Sequence, residues 1–297
     1  MIDPKTVKSY AQYNEDIILL ALLQDVKKGF YVDVGANYPV IDSVTKLFYE
    51  RGWSGINIEP IPRLHKQLVK DRPRDTNLQL GIGAEAGSLK FFENVEIHGH
   101  SSFKRSEAGA KNQNIRTHTM KVDTLKNVLT EHGVKVIDFL KIDVEGFEKE
   151  VIEGNDWKKF RPKVICIEAN HRSESWQKTL IKNQYLLFIS DGLNEYYIAN
   201  ELKDVAEGFA ERIVKLRHQS LDQAQFEAWT NDSNLLREVS SANQRHAELL
   251  QVSSAENERL KQVAILSLSG KSLPRRLTTS MYGLTVDWIK YAFNKSK

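Results

Sequence analysis

The chain has one cysteine in 297 residues, which excludes a disulfide framework. Cys166, inside "KVICIEAN", reads as a buried strand thiol of a reducing compartment. No run of about 18 uncharged apolar residues occurs, so no segment is expected to span a bilayer. The start, "MIDPKTVKSYAQYNEDIILL", lacks a basic segment leading into an apolar core. No secretory signal is therefore expected, and the reading is cytoplasmic. Charge of one sign is also scarce: a net +3 gives no basis for a nucleic-acid partner. The most informative shortage is local. "GFYVDVGANYP", residues 29–39, reads as a buried strand entering a tight turn, as a nucleotide-binding loop begins. Yet the turn holds one glycine, Gly35, where a dinucleotide fingerprint needs three.

What is present falls into two halves. From about residue 10 to 200, short apolar runs alternate with amphipathic segments. Strands are expected at Phe30–Val34, Gly55–Glu59, Leu78–Gly83, Ile137–Ile142 and Val164–Glu168, with helices at Ser43–Arg51, Pro62–Lys70 and Thr124–Glu131. Continuous apolar strands are buried on both faces, which signals a parallel sheet between helical layers. Leu186–Ser190 and Glu195–Ala199 flank "DGLN", an Asp-Gly turn of the hairpin type. The expected fold is a doubly wound α/β sheet with an antiparallel end, as one domain over residues 1–200.

Residues 201–268 hold no proline and no strand-like run. Leu235, Val239, Ala242, His246, Leu249, Ser253, Glu256, Leu260 and Val263 follow four- and three-residue steps, a weak heptad seam. A homo-oligomeric coiled coil or a long solvated helix both fit it. Beyond "SGKSLPRRL", residues 269–297 read as a basic amphipathic helix with Leu277, Met281, Leu284, Trp288 and Tyr291 on one face. Residues 270–297 could make peripheral contact with a membrane, or dock on protein.

In an open α/β sheet the ligand sits beyond the carboxyl ends of the strands. A one-glycine loop cannot cradle a pyrophosphate, but it suits S-adenosylmethionine, which carries no phosphate. Asp33 and Asn37 are candidates to orient its ribose and amino-acid tail, and Gly35 to allow close approach. Glu59, ending the second strand, is placed to accept from ribose hydroxyls. Gly83, closing the third, completes the expected cofactor set.

"SYAQYNEDIILL", "FYVDVGAN", "SVTKLFYERGWSGINIEP", "DFLKIDVEGFEKEVIEG", "RPKVICIEAN" and "DGLNEYYIA" together resemble FkbM-type methyltransferases over residues 9–200, "KIDVEGFE" being the most specific block. The resemblance implies a class I S-adenosylmethionine-dependent fold and O-methyl transfer to a sugar or polyketide hydroxyl. Pro39 stands where that family often has glycine.

Two strand ends converge where a hydroxyl would meet the donor. Asp143 and Glu145 follow the fourth strand; Glu168, Asn170 and His171 follow the fifth. Asp143, Glu168 and Asn170 form an oxygen-rich set suited to Mg²⁺, resembling the site of catechol-type O-methyltransferases. The metal-free alternative uses His171 or Asp143 as general base, with Glu145 in the same catalytic group or as a helix cap. Residues 93–116 read as a long polar loop carrying His98, His100, Lys104 and Arg105, expected over the acceptor pocket to meet a phosphate or acidic sugar. "SYAQYNED" is expected over the cofactor pocket through Tyr10, Gln12 and Glu15. The leading function is methylation of a glycan or lipid-linked saccharide acceptor in cell-surface polysaccharide synthesis. The alternatives are an inactive scaffold recruiting partners through its tail and, disfavoured by the missing glycines, an NAD-dependent sugar-modifying enzyme.

Overall fold

The computed structural model describes residues 7–109, 113–170, 174–202 and 208–219. His171, the heptad seam and the C-terminal amphipathic helix lie outside the described residues. In chain order the elements are α1 (Glu15–Leu22), β1 (Phe30–Val34), α2 (Lys46–Glu50), β2 (Ser54–Ile58), α3 (Pro62–Asp71), β3 (Thr76–Leu78), β4 (Gly81–Ile82), β5 (Gly87–Asn94), β6 (Ile115–Asp123), α4 (Leu125–Glu131), β7 (Phe139–Ile142), α5 (Glu148–Glu153), β8 (Val164–Glu168), α6 (Glu174–Lys182), β9 (Tyr185–Ser190), β10 (Asn194–Ala199) and α7 (Phe209–Gln219).

Seven strands form the main sheet in the order β3-β2-β1-β7-β8-β10-β9. The first five are parallel to one another; β10 runs antiparallel to both β8 and β9. The Asp-Gly turn closes the hairpin as expected, with Gly192 at φ 97° and Asp191 Oδ1 accepting from the Leu193 N–H at 3.0 Å. Parallel strands must be apolar on both faces, and alternation sorts them into two cores. Tyr31, Phe139, Val164, Cys166 and Tyr196 pack with α1 and α2 on one side. Val32, Val34, Leu140, Ile142, Ile165 and Ile167 pack with α4, α5 and α6 on the other. The same alternation carries Asp33, Lys141 and Glu168, near the carboxyl ends, onto the α1 face.

Two expectations are corrected. The run Leu78–Gly83 is not one strand: β3 ends at Leu78, whose carbonyl accepts from the Glu59 N–H, and β4 joins a second sheet of order β4-β6-β5. Gly81 permits the crossing, because a Cβ there would collide with the Phe103 ring. Nor is 93–116 a free polar loop. Its ends are strands β5 and β6, paired antiparallel, and its middle folds back through a Phe92–Ser102 bridge. The helical region expected from residue 201 begins with α7, whose Phe209 and Ile213 are buried in the α1 core. Among the described residues no helix is long and apolar enough to cross a membrane.

The loop after β1 is held from beneath. Arg72, fully buried at the end of α3, donates to the Pro39 carbonyl at 3.0 Å and to Ser43 Oγ at 3.0 Å. Asp75 lies 4.0 Å from the guanidinium and accepts from Tyr31 Oη and the Gly55 N–H. Pro39 therefore supplies a carbonyl anchor and lies ahead of α2, which begins at Lys46. Removing one partner of a buried charge network strands the other. Arg72→Ala is expected to lower the unfolding free energy by about 3–5 kcal/mol, measured by urea denaturation of the full chain. A loss below about 1 kcal/mol, the scale of an exposed pair, would show that the network does not hold the loop.

Candidate active site

At the carboxyl ends of β1, β2, β7 and β8 lies a cavity of about 590 Å³, within the range of small-molecule sites. Its floor comes from Gly35, Asn37, Glu59, Asp143 and Glu145. One wall is apolar, with Ile58, Pro60, Ile61, Leu64, Leu80 and Ile82. Another is polar, from Gln12, Glu15, Asn170 and Asn194. The β5–β6 connection closes part of the mouth through Ile97, His98, Ser101 and Phe103.

Lys141 is the residue that sequence reasoning missed. It lies in an otherwise apolar strand, 8% exposed, and opposes Asp33 in the β1–β7 register. Its Nζ is 3.5 Å from Asp33 Oδ1, 3.2 Å from Asp143 Oδ2 and 2.9 Å from the Gly35 carbonyl. Burial works against the ammonium, but the Asp143 and Asp33 carboxylates outweigh it and hold Lys141 well above the ordinary lysine range. A charged residue inside "FLKI" was the available signal.

The turn after β7 carries the acids. Glu145 adopts a left-handed conformation, φ 51°, followed by Gly146 at φ 86°. Such a conformation is costly for a residue with a Cβ and needs support. Ser102 Oγ donates to the Glu145 carbonyl at 2.7 Å, and Glu148 Oε1 accepts from the Gly146 N–H at 3.0 Å. Glu145 therefore does not cap α5, whose N-cap is Phe147; Glu148 holds the preceding turn, and Glu145 lines the cavity. There Asp143, Glu145 and Glu168 bring carboxylate oxygens within 4.8 Å of one another. Burial, then the Asp143 charge, pushes Glu145 up to about 8. Burial, with Asp143 and Glu145 adding to it, pushes Glu168 up to about 9. Glu168 Oε2 is buried and has no hydrogen-bond partner among the described residues.

The other candidates separate. Asn37, at φ 52°, donates its N–H to Glu59 Oε2 at 2.8 Å, while Glu59 Oε1 accepts from the Ile61 N–H at 2.8 Å. Glu59 so ties the β1 and β2 loops together, and burial raises it to about 7. Gly35 lines the cavity, but its missing Cβ makes room for the Asp143 carbonyl. Asp33 sits just beneath the cavity wall, its Oδ2 accepting from Thr45 Oγ1 at 3.2 Å. Gly83 lies against Val122 and Phe147, outside the lining. Asn170 lines the cavity, and its amide nitrogen donates to Glu168 Oε1 at 2.9 Å. Asp143 and Glu168 of the expected metal set are joined in the cluster by Glu145, with Asn170 beside Glu168. Tyr10 turns away to Glu50, 2.8 Å from its hydroxyl, whereas Gln12 and Glu15 reach the cavity.

Residues 33–219 match the model of the FkbM methyltransferase domain. No curated protein matches the chain. The chain belongs to the FkbM methyltransferase family, and its mostly parallel seven-stranded sheet fits a methyltransferase fold.

The raised carboxyls set a pH dependence. Glu145 and Glu168 ordinarily titrate near 4.5 and are raised to about 8 and about 9 in the fold. Their contribution to stability is therefore complete below the unfolded value and is lost as pH rises toward the folded ones. Urea denaturation should show Glu168→Gln gaining stability over the parent at pH 9 with little difference near pH 4.5. An equal difference at both would mean that Glu168 titrates normally.

Proposed function

We propose that the chain is an S-adenosylmethionine-dependent methyltransferase acting on a sugar hydroxyl. The observation that carries this reading is Glu59 at the end of β2, buried, facing the cavity and bonded to Asn37 in the loop after β1. Each Glu59 oxygen accepts one backbone N–H and retains a lone pair for a ribose hydroxyl. The apolar wall of Ile58, Pro60, Ile61 and Leu80 suits the faces of an adenine. Asn37 Oδ1, buried with no partner among the described residues, is left for the amino-acid tail. The acids at Asp143, Glu145 and Glu168 suit a sulfonium better than a pyrophosphate. When bound, the donor supplies an electrophilic methyl group.

The rest is positioning and proton handling. Lys141 fixes Asp143 and the Gly35 carbonyl at the floor. Glu145, raised to about 8 and so partly ionised at slightly alkaline pH, accepts the proton of an acceptor hydroxyl held against the cluster, since a base works best near the operating pH. Holding that hydroxyl in line is the larger share of the rate. A second reading puts Mg²⁺ among Asp143, Glu145 and Glu168, favoured by three converging carboxylates and the orphaned Glu168 Oε2. There the ion would neutralise the acids and hold the hydroxyl.

Calorimetric titration of S-adenosylhomocysteine into the full chain tests the donor. Binding that Glu59→Ala weakens by about tenfold or more, a loss of about 1.4 kcal/mol, is expected. No binding would sink the donor reading and leave a methyltransferase-like scaffold. Tighter binding with Mg²⁺, abolished by Asp143→Ala, would select the metal over the carboxylate base.

A further inference from the structure

We propose that the arm of the cavity between Glu15, Asn194 and Glu168 is a subsite for a positively charged group, the ammonium of an amino-bearing sugar acceptor. This rests on the donor reading and adds the class of acceptor to it. Three observations carry it.

The first is the balance of charge. Seven carboxylate residues line the cavity: Asp42 and Glu96, with Glu15, Glu59, Asp143, Glu145 and Glu168. Against them stand one lysine, Lys141, already paired with Asp33 and Asp143, the imidazoles of His98 and His100, and no arginine. The basic groups expected to receive a phosphate or acidic sugar are committed elsewhere. Lys104 donates to the Gly146 carbonyl and lies 3.5 Å from Glu150, and Arg105 donates to the Gly109 carbonyl at 3.0 Å. An anionic acceptor would meet an excess of like charge, which is how a site rejects a wrong partner.

The second is position. Glu59 directly follows β2, whereas Glu168 and Asn194 stand on β8 and β10, paired in register. Three strand spacings separate β2 from β8, about 14 Å at about 4.8 Å each. The arm at β8 and β10 is thus clear of the ribose end and starts from the carboxylate cluster, to which Glu168 also belongs.

The third is the state of the two acids. Glu15 opens α1 and is 7% exposed. Its oxygens accept from the Tyr13 N–H at 2.8 Å and Asn194 Nδ2 at 3.3 Å, and no cation pairs with it among the described residues. Glu168 is 8% exposed, and its Oε2, independently of Glu15, has no hydrogen-bond partner there. Carboxylates buried on a cavity wall without a counter-ion require a proton or a cation. The helix N-terminus favours the charged form of Glu15. Gln12, Tyr13 and Asn170 beside them offer amides and a ring to the rest of a sugar.

The test is calorimetry on the full chain saturated with S-adenosylhomocysteine, titrated with glucosamine, N-acetylglucosamine and glucuronate at a pH where the amine is protonated. Glucosamine should bind about tenfold or more tighter than N-acetylglucosamine, with glucuronate weakest. Glu15→Gln, retaining its shape and the affinity for S-adenosylhomocysteine, should erase the amine preference, and Glu168→Gln should reduce it. Equal or absent binding of the amine and N-acetyl sugars, preference for glucuronate, or an amine preference that survives Glu15→Gln would overturn the proposal. So would its loss on adding Mg²⁺, which would make a metal the resident cation. Failure of S-adenosylhomocysteine to bind overturns the donor reading separately, and the sugar titrations then run on the chain alone against the same criteria.

Discussion

A lysine ammonium in the interior of a parallel sheet is tolerable only if its charge is matched within a few ångströms. Lys141 meets that condition with Asp33 on one side, Asp143 on the other and the Gly35 carbonyl above. The arrangement ties together the carboxyl ends of β1 and β7, the two strands from which the cavity floor is built. Gly35 is part of the same constraint, because its backbone must pass close enough to Asp143 that no side chain fits between them. The floor is therefore held by electrostatics and close backbone approach, while the two apolar cores support it from either face of the sheet.

With Lys141 paired to Asp33 and Asp143, neither Glu15 nor Glu168 forms an ion pair with a protein cation among the described residues. Glu15, Glu59, Glu145 and Glu168 are all raised, each chiefly by burial. Such a site stores protons at neutral pH and gives them up to an arriving positive charge. A sulfonium donor, an acceptor ammonium and a divalent cation are three ways to supply that charge. They engage different members of the set, which is why single substitutions can tell them apart. Strain at Glu145, supported by Ser102 and Glu148, serves the same end by directing one more carboxylate inward.

Much of this was legible in the residues. Apolar runs such as "FYVDV" and "VICIE" located β1 and β8 to the residue, and the Asp-Gly turn marked the antiparallel end. Glycine shortage pointed away from a dinucleotide. What escaped notice had physical causes. β5 and β6 are exposed over much of their length, so polar residues broke the apolar pattern that betrays a buried strand. The break between β3 and β4 depends on Phe103, distant in sequence from Gly81. Lys141 was hidden because a charge in a strand has meaning only through its cross-strand partner. That Glu145 joins Asp143 and Glu168 rests on a left-handed turn that composition does not reveal.

The most direct measurement is the proton count of donor binding: calorimetric titration of S-adenosylmethionine near neutral pH in buffers of different ionisation enthalpy. A cationic donor entering this acidic cavity should release protons, and Glu168→Gln should diminish the release without preventing binding. Binding with no net proton release in the parent chain would contradict a cavity whose carboxylates await a positive charge.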